Sequence, residues 1–148
     1  MRIIPYDDQY RNEMISMVMQ AISSLGVVPR QDDNLLCVQN HYIDCGDQFW
    51  LALDSDNSVI GCVGYNSIQG TTEARIRRLY VKNGWKHQGI GSLLLHTVEE
   101  GMRNAGKTAS IVHLGDPKER WFESYLFYPK HGYIEIAPRY MRKDLTKY

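Results

Sequence analysis

The sequence has no long apolar segment and no excess of one charge. No run approaches the roughly twenty apolar residues that a membrane-spanning helix requires, and residues 1–8 lack the apolar segment of a signal peptide. Basic and acidic residues are equally numerous, at 17 each, so no global field attracts nucleic acid or an anionic membrane. These absences predict a protein that has neither a membrane nor a nucleic acid as its partner.

Cysteine is also scarce, and the three present, Cys37, Cys45 and Cys62, cannot all pair with one another. An odd number of cysteines suits a reducing compartment, and together with the missing signal peptide it predicts a cytoplasmic location. Cys37, His41 and Cys45 are spaced to share one face of a helix, and all three residue types bind zinc. Three ligands are too few for a closed structural site, and the paired spacing of zinc modules is absent. We therefore expect no metal.

A chain of 148 residues fits one domain, residues 1–148, and can bury a substantial core. From residue 48 the apolar period changes from that of helices to that of strands. The predicted elements are, in order, a short strand at 2–5, a helix over 14–25 capped by Asp7 or Asp8, a helix that starts after Asp32 or Asp33 and ends at Gly46, strands at 49–53, 58–67 and 73–81, a helix from 91 to 104, a strand at 109–114, a helix over 117–128, and strands at 133–136 and 139–145. This order predicts an α/β (α+β) fold with a mixed, mostly antiparallel sheet flanked by helices.

The third long strand contains a conflict of parity. In a regular strand, side chains of even-numbered and odd-numbered residues face opposite sides of the sheet. Ile76 would therefore face away from the side that Leu79 and Val81 share, and the three could not all point toward one core. A β-bulge near Arg77 and Arg78 would reconcile them. Such a bulge bends the strand away from its neighbour, so we expect a cleft at its end in which an extended ligand can lie against free backbone groups.

The segment from Lys86 to Ser92 joins this strand to the next helix. Gly89 and Gly91 carry no side chain to hold a ligand at a distance, and the first amides of a helix have no partners within the helix. Together with the helix dipole they predict a pyrophosphate site. The alternative is an ordinary tight turn with solvated basic residues. The loop lacks the third glycine of a dinucleotide-binding fold and the Gly-Lys-Ser/Thr ending of a P-loop.

Three segments carry a resemblance to a known family. They are Lys86-x-x-Gly89-x-Gly91 between strand and helix, Phe127-Tyr128-Pro129-Lys130-His131-Gly132-Tyr133, and the closing strand at 140–145. This pattern resembles the GNAT family of N-acyltransferases over the chain from about residue 48 to its end. The family's motif usually opens with Gln or Arg, and Lys86 keeps the charge without Arg's planar fork.

The resemblance implies acetyl-CoA as the co-substrate. It implies that the backbone of three residues, Leu79, Tyr80 and Val81, holds the pantetheine arm as a strand would. It further implies that Lys86 adds charge near the pyrophosphate. The amides implied to bind that pyrophosphate belong to His87, Gln88, Gly89, Ile90, Gly91 and Ser92.

Two residues are candidates for proton transfer. A phenol can protonate the CoA thiolate that acetyl transfer releases, and the family's tyrosine aligns with Tyr128. The alternative role for Tyr128 is packing in the core. Glu73 matches the position that often carries the general base in relatives, with Asp116 and Glu123 as rivals. Each of these carboxylates is otherwise an ordinary surface group.

The predicted function is direct transfer of acetyl from acetyl-CoA to a primary amine of a small molecule, an amino acid or a peptide. The alternative is a non-catalytic acyl-CoA sensor or regulatory module that keeps the loop. A structural protein that dimerises and binds no CoA is a third possibility. The sequence does not distinguish a monomer from a homodimer.

Overall fold

The structure, a computed structural model, describes residues 1–30 and 32–146. Its strands are β1 Arg2–Pro5, β2 Gln48–Leu53, β3 Val59–Ser67, β4 Glu73–Val81, β5 Ala109–His113, β6 Ile134–Ala137 and β7 Tyr140–Asp144. Its α-helices are α1 Arg11–Ser23, α2 Asp33–Leu36, α3 Ile90–Asn104 and α4 Phe122–Lys130. None of the helices within the described residues is long and apolar enough to cross a bilayer.

The strands form one sheet in the order β1-β2-β3-β4-β5-β7-β6. The pair β4 and β5 is parallel, and the other neighbours are antiparallel. A parallel pair needs a crossover, and α3 supplies it. The predicted fold, a mixed and mostly antiparallel sheet flanked by helices, is confirmed.

Apolar side chains alternate along the strands and fill a core on each face of the sheet. On one face α3 packs against β3 and β4, and the buried residues include Ile60, Val63, Ile76, Leu94, Val98 and Met102. On the other face α1 packs against β2 and β3, and the buried residues include Met14, Val18, Ile22, Phe49, Leu51 and Leu53. The central strands β2, β3 and β4 are therefore fixed from both sides.

The chain enters α1 through a 3₁₀ turn over Asp8–Tyr10. The carboxylate of Asp7 accepts the amide of Gln9 at 2.9 Å and caps that turn. The prediction that Asp7 or Asp8 caps the helix is wrong for α1, because Asp7 caps the preceding turn and the N-cap residue of α1, Tyr10, makes no side-chain cap.

The second predicted helix is wrong in its extent. The Asp32 carbonyl accepts the amides of Leu35 and Leu36 and starts the short α2, but a π-helical turn over Gln39–Ile43 follows it. The hydroxyl of the fully buried Tyr42 hydrogen-bonds Asn34 in α2. The wider turn removes the spacing that would place the two cysteines and the histidine on one face. No cluster of potential metal ligands occurs among the described residues.

The prediction that α4 begins at Pro117 is also wrong, because the helix begins at Phe122. Residues 117–121 form turns, in which Arg120 donates to the Pro117 carbonyl at 3.1 Å and Trp121 donates to the Lys118 carbonyl at 3.1 Å. At its other end Gly132, with φ of 91°, terminates α4.

Candidate active site

A β-bulge interrupts β4 where the sequence predicted it. Tyr80 pairs with Cys62 and Arg77 pairs with Gly64, so Arg78 and Leu79 together oppose one residue of β3. Arg78 has a φ of 61°, in the left-handed region. The parity conflict is resolved as expected, since Ile76 is buried in the cluster against which Leu79 and Val81 pack.

Two contacts hold the bulge in place. The guanidinium of Arg78 donates to the Asp32 carboxylate at 2.5 Å, beside the start of α2. Burial raises the pKa of Asp32, but the Arg78 charge outweighs it and the net shift is downward. On the other side the Cys62 thiol donates to the Arg78 carbonyl at 3.0 Å. Burial raises the pKa of that thiol to about 12, so Cys62 stays a neutral donor.

β4 separates from β5 after Arg75, two residues before the bulge. Residues Glu73 to Arg75 pair with Ala109 to Ile111, and within the described residues the pairing goes no further. The opposite edge of β5 is paired with β7 along its whole length. The second half of β4 therefore faces an opening, here called the β4–β5 cleft, and the predicted cleft is confirmed.

A pocket of about 100 Å³ lies at the end of β4. It brings together residues that the resemblance assigned to the co-substrate, since Leu79, Tyr80, Val81 and Lys86 all line it. Its remaining wall comes from the end of α1 and from residues 120, 121, 123 and 124 at the start of α4. A larger concavity, of about 740 Å³, runs along exposed α1, and no titratable side chain lines it.

The loop after β4 presents a row of free backbone donors. Gly84, His87 and Gly89 all have positive φ, at 88°, 64° and 83°, and α3 begins at Ile90. Among the described residues no hydrogen-bond acceptor pairs with any of the six amides from His87 to Ser92. Successive free amides at a helix N-terminus form an anion-binding concavity. The assignment of these amides to a pyrophosphate stays a prediction.

Charged side chains surround this loop. Lys86 lies 3.7 Å and His87 3.9 Å from the carboxylate of Glu123 in the first turn of α4. Ser92 at the start of α3 hydrogen-bonds the His131 ring at 3.0 Å, and that ring contacts the Phe127 carbonyl at 2.9 Å. These contacts tie the loop to both ends of α4, the helix that carries Tyr128.

Tyr128 lies in the last turns of α4 with its ring edge-on to Phe127 and Tyr133, at centroid distances of 5.2 and 5.3 Å. Its residue is 6% exposed, and no described residue hydrogen-bonds its hydroxyl. Burial, helped by Tyr80 and Glu99, raises its pKa. The phenol is therefore protonated at neutral pH and can donate a proton.

The candidate bases lie apart from the loop or are already paired. Glu73 sits at the paired end of β4, away from the opening, and its carboxylate is 3.1 Å from the Arg142 guanidinium. Asp116 is 71% exposed and 4.0 Å from Arg139. Glu123 faces Lys86. The assignment of Glu73 as the base stays a prediction, since the structure does not bring Glu73 together with Tyr128.

Sequence reasoning missed His113, the last residue of β5. Its ring stacks on Tyr140 at a centroid distance of 4.2 Å and an angle of 2°. Burial lowers its pKa, and the charges of Arg139, Arg75 and Arg77 lower it further. His113 is therefore a neutral proton acceptor at the edge of the β4–β5 cleft. The only local signal was its position after the buried run of residues 109–112.

Comparison with known proteins gives a consistent result. Residues 45–135 match the model of the acetyltransferase (GNAT) domain family. No curated protein matches the chain. The GNAT-family acetyltransferase from Staphylococcus aureus Mu50 is 20% identical, with 97% of this chain and 98% of that chain covered and a TM-score of 0.89.

Two further solved structures share the fold. An aminoglycoside 6'-acetyltransferase of type Ii is 18% identical, with 100% of this chain and 99% of that chain covered and a TM-score of 0.77. The PaiA N-acetyltransferase of Thermoplasma acidophilum, solved with coenzyme A, is 18% identical, with 97% and 99% covered and a TM-score of 0.75. At these identities the structures support the fold, and the family model, which matches more than half of the chain, supplies the membership. This chain belongs to the acetyltransferase (GNAT) domain family.

Proposed function

We propose that the protein transfers an acetyl group from acetyl-CoA directly to the nitrogen of a primary amine. The observation that carries this proposal is the row of six unpartnered amides from His87 to Ser92, placed next to the open edge of β4. The amides from Gly89 to Ser92 are free as at the start of any helix, and what points to a ligand here is that the free amides continue back to His87 and adjoin an unpaired strand edge. Family membership supports the same activity.

Acetyl-CoA would bind as an added strand. Its pantetheine arm carries amide groups that can pair with the free edge of β4 at Leu79 to Val81. Its pyrophosphate would accept hydrogen bonds from the amides of the loop. Lys86, now 3.7 Å from Glu123, would turn toward the phosphates because their charge exceeds that of one carboxylate.

The chemistry needs one proton removed and one supplied. The free amine attacks the thioester carbonyl carbon, the carbon–sulfur bond breaks, and its electron pair leaves with the sulfur. Tyr128 gives its proton to that thiolate, and the proton lost by the amine restores the phenol through the base or water. Amine plus acetyl-CoA thus yield amide plus CoA thiol, with no covalent enzyme intermediate.

For the base we propose His113 as the first candidate and Glu73 as the second. His113 is neutral and lies beside the β4–β5 cleft, whereas Glu73 is held by Arg142 at the far end of the strand. Substituting each, as His113→Gln and Glu73→Gln, and measuring kcat against pH separates them. A general base must be deprotonated to act, so kcat falls at low pH as the base takes up a proton. Substitution of the true base should remove this fall in kcat, and substitution of the other residue should leave it.

The test of the activity is release of free thiol from acetyl-CoA in the presence of a panel of primary amines. Amine-dependent release with formation of the N-acetyl product is expected. Tight binding of acetyl-CoA without release for any class of amine would favour the alternative, a non-catalytic acyl-CoA sensor. Absence of both would leave only a structural role.

A further inference from the structure

One face of the sheet carries a concentration of arginines next to the β4–β5 cleft. Ala74 and Ile76 point into the core under α3, so the alternation of β4 places Arg75 and Arg77 on the opposite face. Across the sheet Arg75 pairs with Ile111, which pairs with Arg142 on β7. We call this surface the arginine face, formed by Arg75, Arg77, His113, Arg139, Tyr140 and Arg142.

The positive charge of this face is only partly balanced. Glu73 neutralises Arg142 at 3.1 Å, and Asp116 approaches Arg139 at 4.0 Å. No described carboxylate lies within 4.0 Å of the guanidinium of Arg75 or Arg77. The chain as a whole has no net charge, so the excess is a local property of this face.

Arg75 has a second unusual feature. Its Nε is fully enclosed and has no hydrogen-bond partner, and it is the one such side-chain atom in the described part of the chain. An enclosed, unpaired donor of a charged group is costly, and such groups usually have a partner. A ligand does not reach the enclosed Nε itself, but its acceptors can bond the Nη groups of the same guanidinium and so offset part of this cost.

The position of the face indicates which substrate it would meet. Arg75 and Arg77 precede the bulge on β4, whereas the residues proposed to hold pantetheine and pyrophosphate begin within it, at Leu79, and continue beyond it. The phosphates of acetyl-CoA would therefore lie at the other end of the strand. A ligand on the arginine face would approach the thioester from the acceptor side.

We propose that the acceptor amine carries a carboxylate, which Arg75 and Arg77 bind while the amine faces the β4–β5 cleft. This proposal rests on the proposed acetyltransferase function. Arginine suits the role because its planar fork can bind both oxygens of a carboxylate. Acceptors rich in positive charge, such as aminoglycosides and polyamines, are repelled by the same face.

The test compares matched acceptors with the wild-type protein. The first group of acceptors pairs each free amino acid with its carboxamide. The second group consists of short peptides that bear an N-terminal aspartate or glutamate. Spermidine and kanamycin represent polycations. The carboxamide has the less basic amine, so intrinsic reactivity favours it. A preference in kcat/KM for the acid therefore reports binding of the carboxylate. Comparison of kcat/KM between the amino acids and the acidic peptides then shows whether the preferred carboxylate belongs to a free amino acid or to an acidic peptide.

Variants connect the preference to the face. Arg75→Gln and Arg77→Gln are each expected to lower kcat/KM for the acid about 10- to 100-fold through KM, and to leave the carboxamide little changed. Arg75→Lys and Arg77→Lys keep the charge and should restore part of the loss. Arg2→Gln, at an exposed arginine on β1 that bonds Asn57, serves as the control and should behave as wild type.

Two results would overturn the proposal: carboxamides or polycations as the better acceptors, or an acid preference that survives both glutamine substitutions. Calorimetry with acetyl-CoA separates this failure from that of the proposed function. If acetyl-CoA binds and some amine is acetylated without a carboxylate preference, only the proposal about the acceptor fails. If acetyl-CoA does not bind, the proposed function itself fails.

Discussion

Replacing Tyr128 with phenylalanine should separate catalysis from stability. The change removes one hydroxyl that has no hydrogen-bond partner among the described residues and keeps the ring that packs against Phe127 and Tyr133. Loss of a general acid lowers kcat by about 10²- to 10³-fold, which corresponds to about 3 to 4 kcal/mol of barrier. Because no protein hydrogen bond is lost, the free energy of unfolding should stay within about 1 kcal/mol of wild type.

Tyr133→Phe is the matched control, five residues along the chain. The Tyr133 hydroxyl is buried, donates to Glu99 at 2.8 Å and lies 2.8 Å from the hydroxyl of Ser110. Its loss leaves the buried carboxylate of Glu99 with the ammonium of Lys143 at 3.0 Å. We expect about 1–3 kcal/mol of destabilisation, and a fall in melting temperature of about 2–4 °C for each kcal/mol. Turnover per folded molecule should change little.

Three measurements distinguish the two variants. Thiol release gives kcat, calorimetry gives the Kd for acetyl-CoA, and thermal unfolding gives stability. Tyr128→Phe should lose turnover with unchanged affinity and stability, whereas Tyr133→Phe should lose stability with unchanged turnover and affinity. If Tyr128→Phe keeps kcat within about twofold of wild type, the assignment of the acid is wrong. If it is also less stable than Tyr133→Phe, Tyr128 has a structural role in the core.

Three further changes test the loop and the arginine face. Gly89→Ala should weaken acetyl-CoA binding because a side chain at φ of 83° strains the loop, whereas Gly70→Ala, at φ of 77° in a distant turn, should not affect it. Calorimetry on both variants measures the difference. Glu123→Gln should tighten acetyl-CoA binding, since it removes the carboxylate 3.7 Å from Lys86 that competes with phosphate. An unchanged or weaker affinity would contradict this. The lowered pKa of His113 means that the unfolded chain takes up a proton more readily. The free energy of unfolding should therefore fall as pH drops below about 6.5 and through the lowered folded value. His113→Asn should reduce that fall in urea titrations at several pH values, and an identical pH dependence would refute the assignment.

Local patterns in the sequence were sufficient to predict the bulge in β4 and the free amides of the loop after it. The parity of Ile76 against Leu79 and Val81 required a bulge, and the bulge is present at Arg78 and Leu79. The glycines after β4 predicted free amides at the start of α3, which the structure contains. Both features depend on residues close together in the chain, so the hydrophobic period and backbone freedom decide them.

Features that depend on tertiary packing were not predictable. The π-helical turn at Gln39–Ile43 depends on burial of Tyr42 and its bond to Asn34. The late start of α4 depends on Trp121 packing over Gly115, where an added Cβ would lie 2.5 Å from the indole. A helical pattern gives no warning of either contact.

The arginine face could not be predicted for a similar reason. The arginine face forms because β4 pairs in parallel with β5 and β5 pairs with β7. These strands are far apart in sequence, and α3 and α4 separate them. The alternation along β4 shows that Arg75 and Arg77 share a side, but only the register shows that they lie near His113 and Arg142.

The most direct test of the central claim is a calorimetric titration of acetyl-CoA into the wild-type protein, with adenosine diphosphate as the control for pyrophosphate affinity alone. We expect binding at one site that is clearly tighter for acetyl-CoA, because pantetheine adds contacts with β4 to those of the loop. Absence of binding by the folded protein, or equal affinity for both ligands, would contradict the assignment of the β4–β5 cleft and the loop from His87 to Ser92 as the acetyl-CoA site.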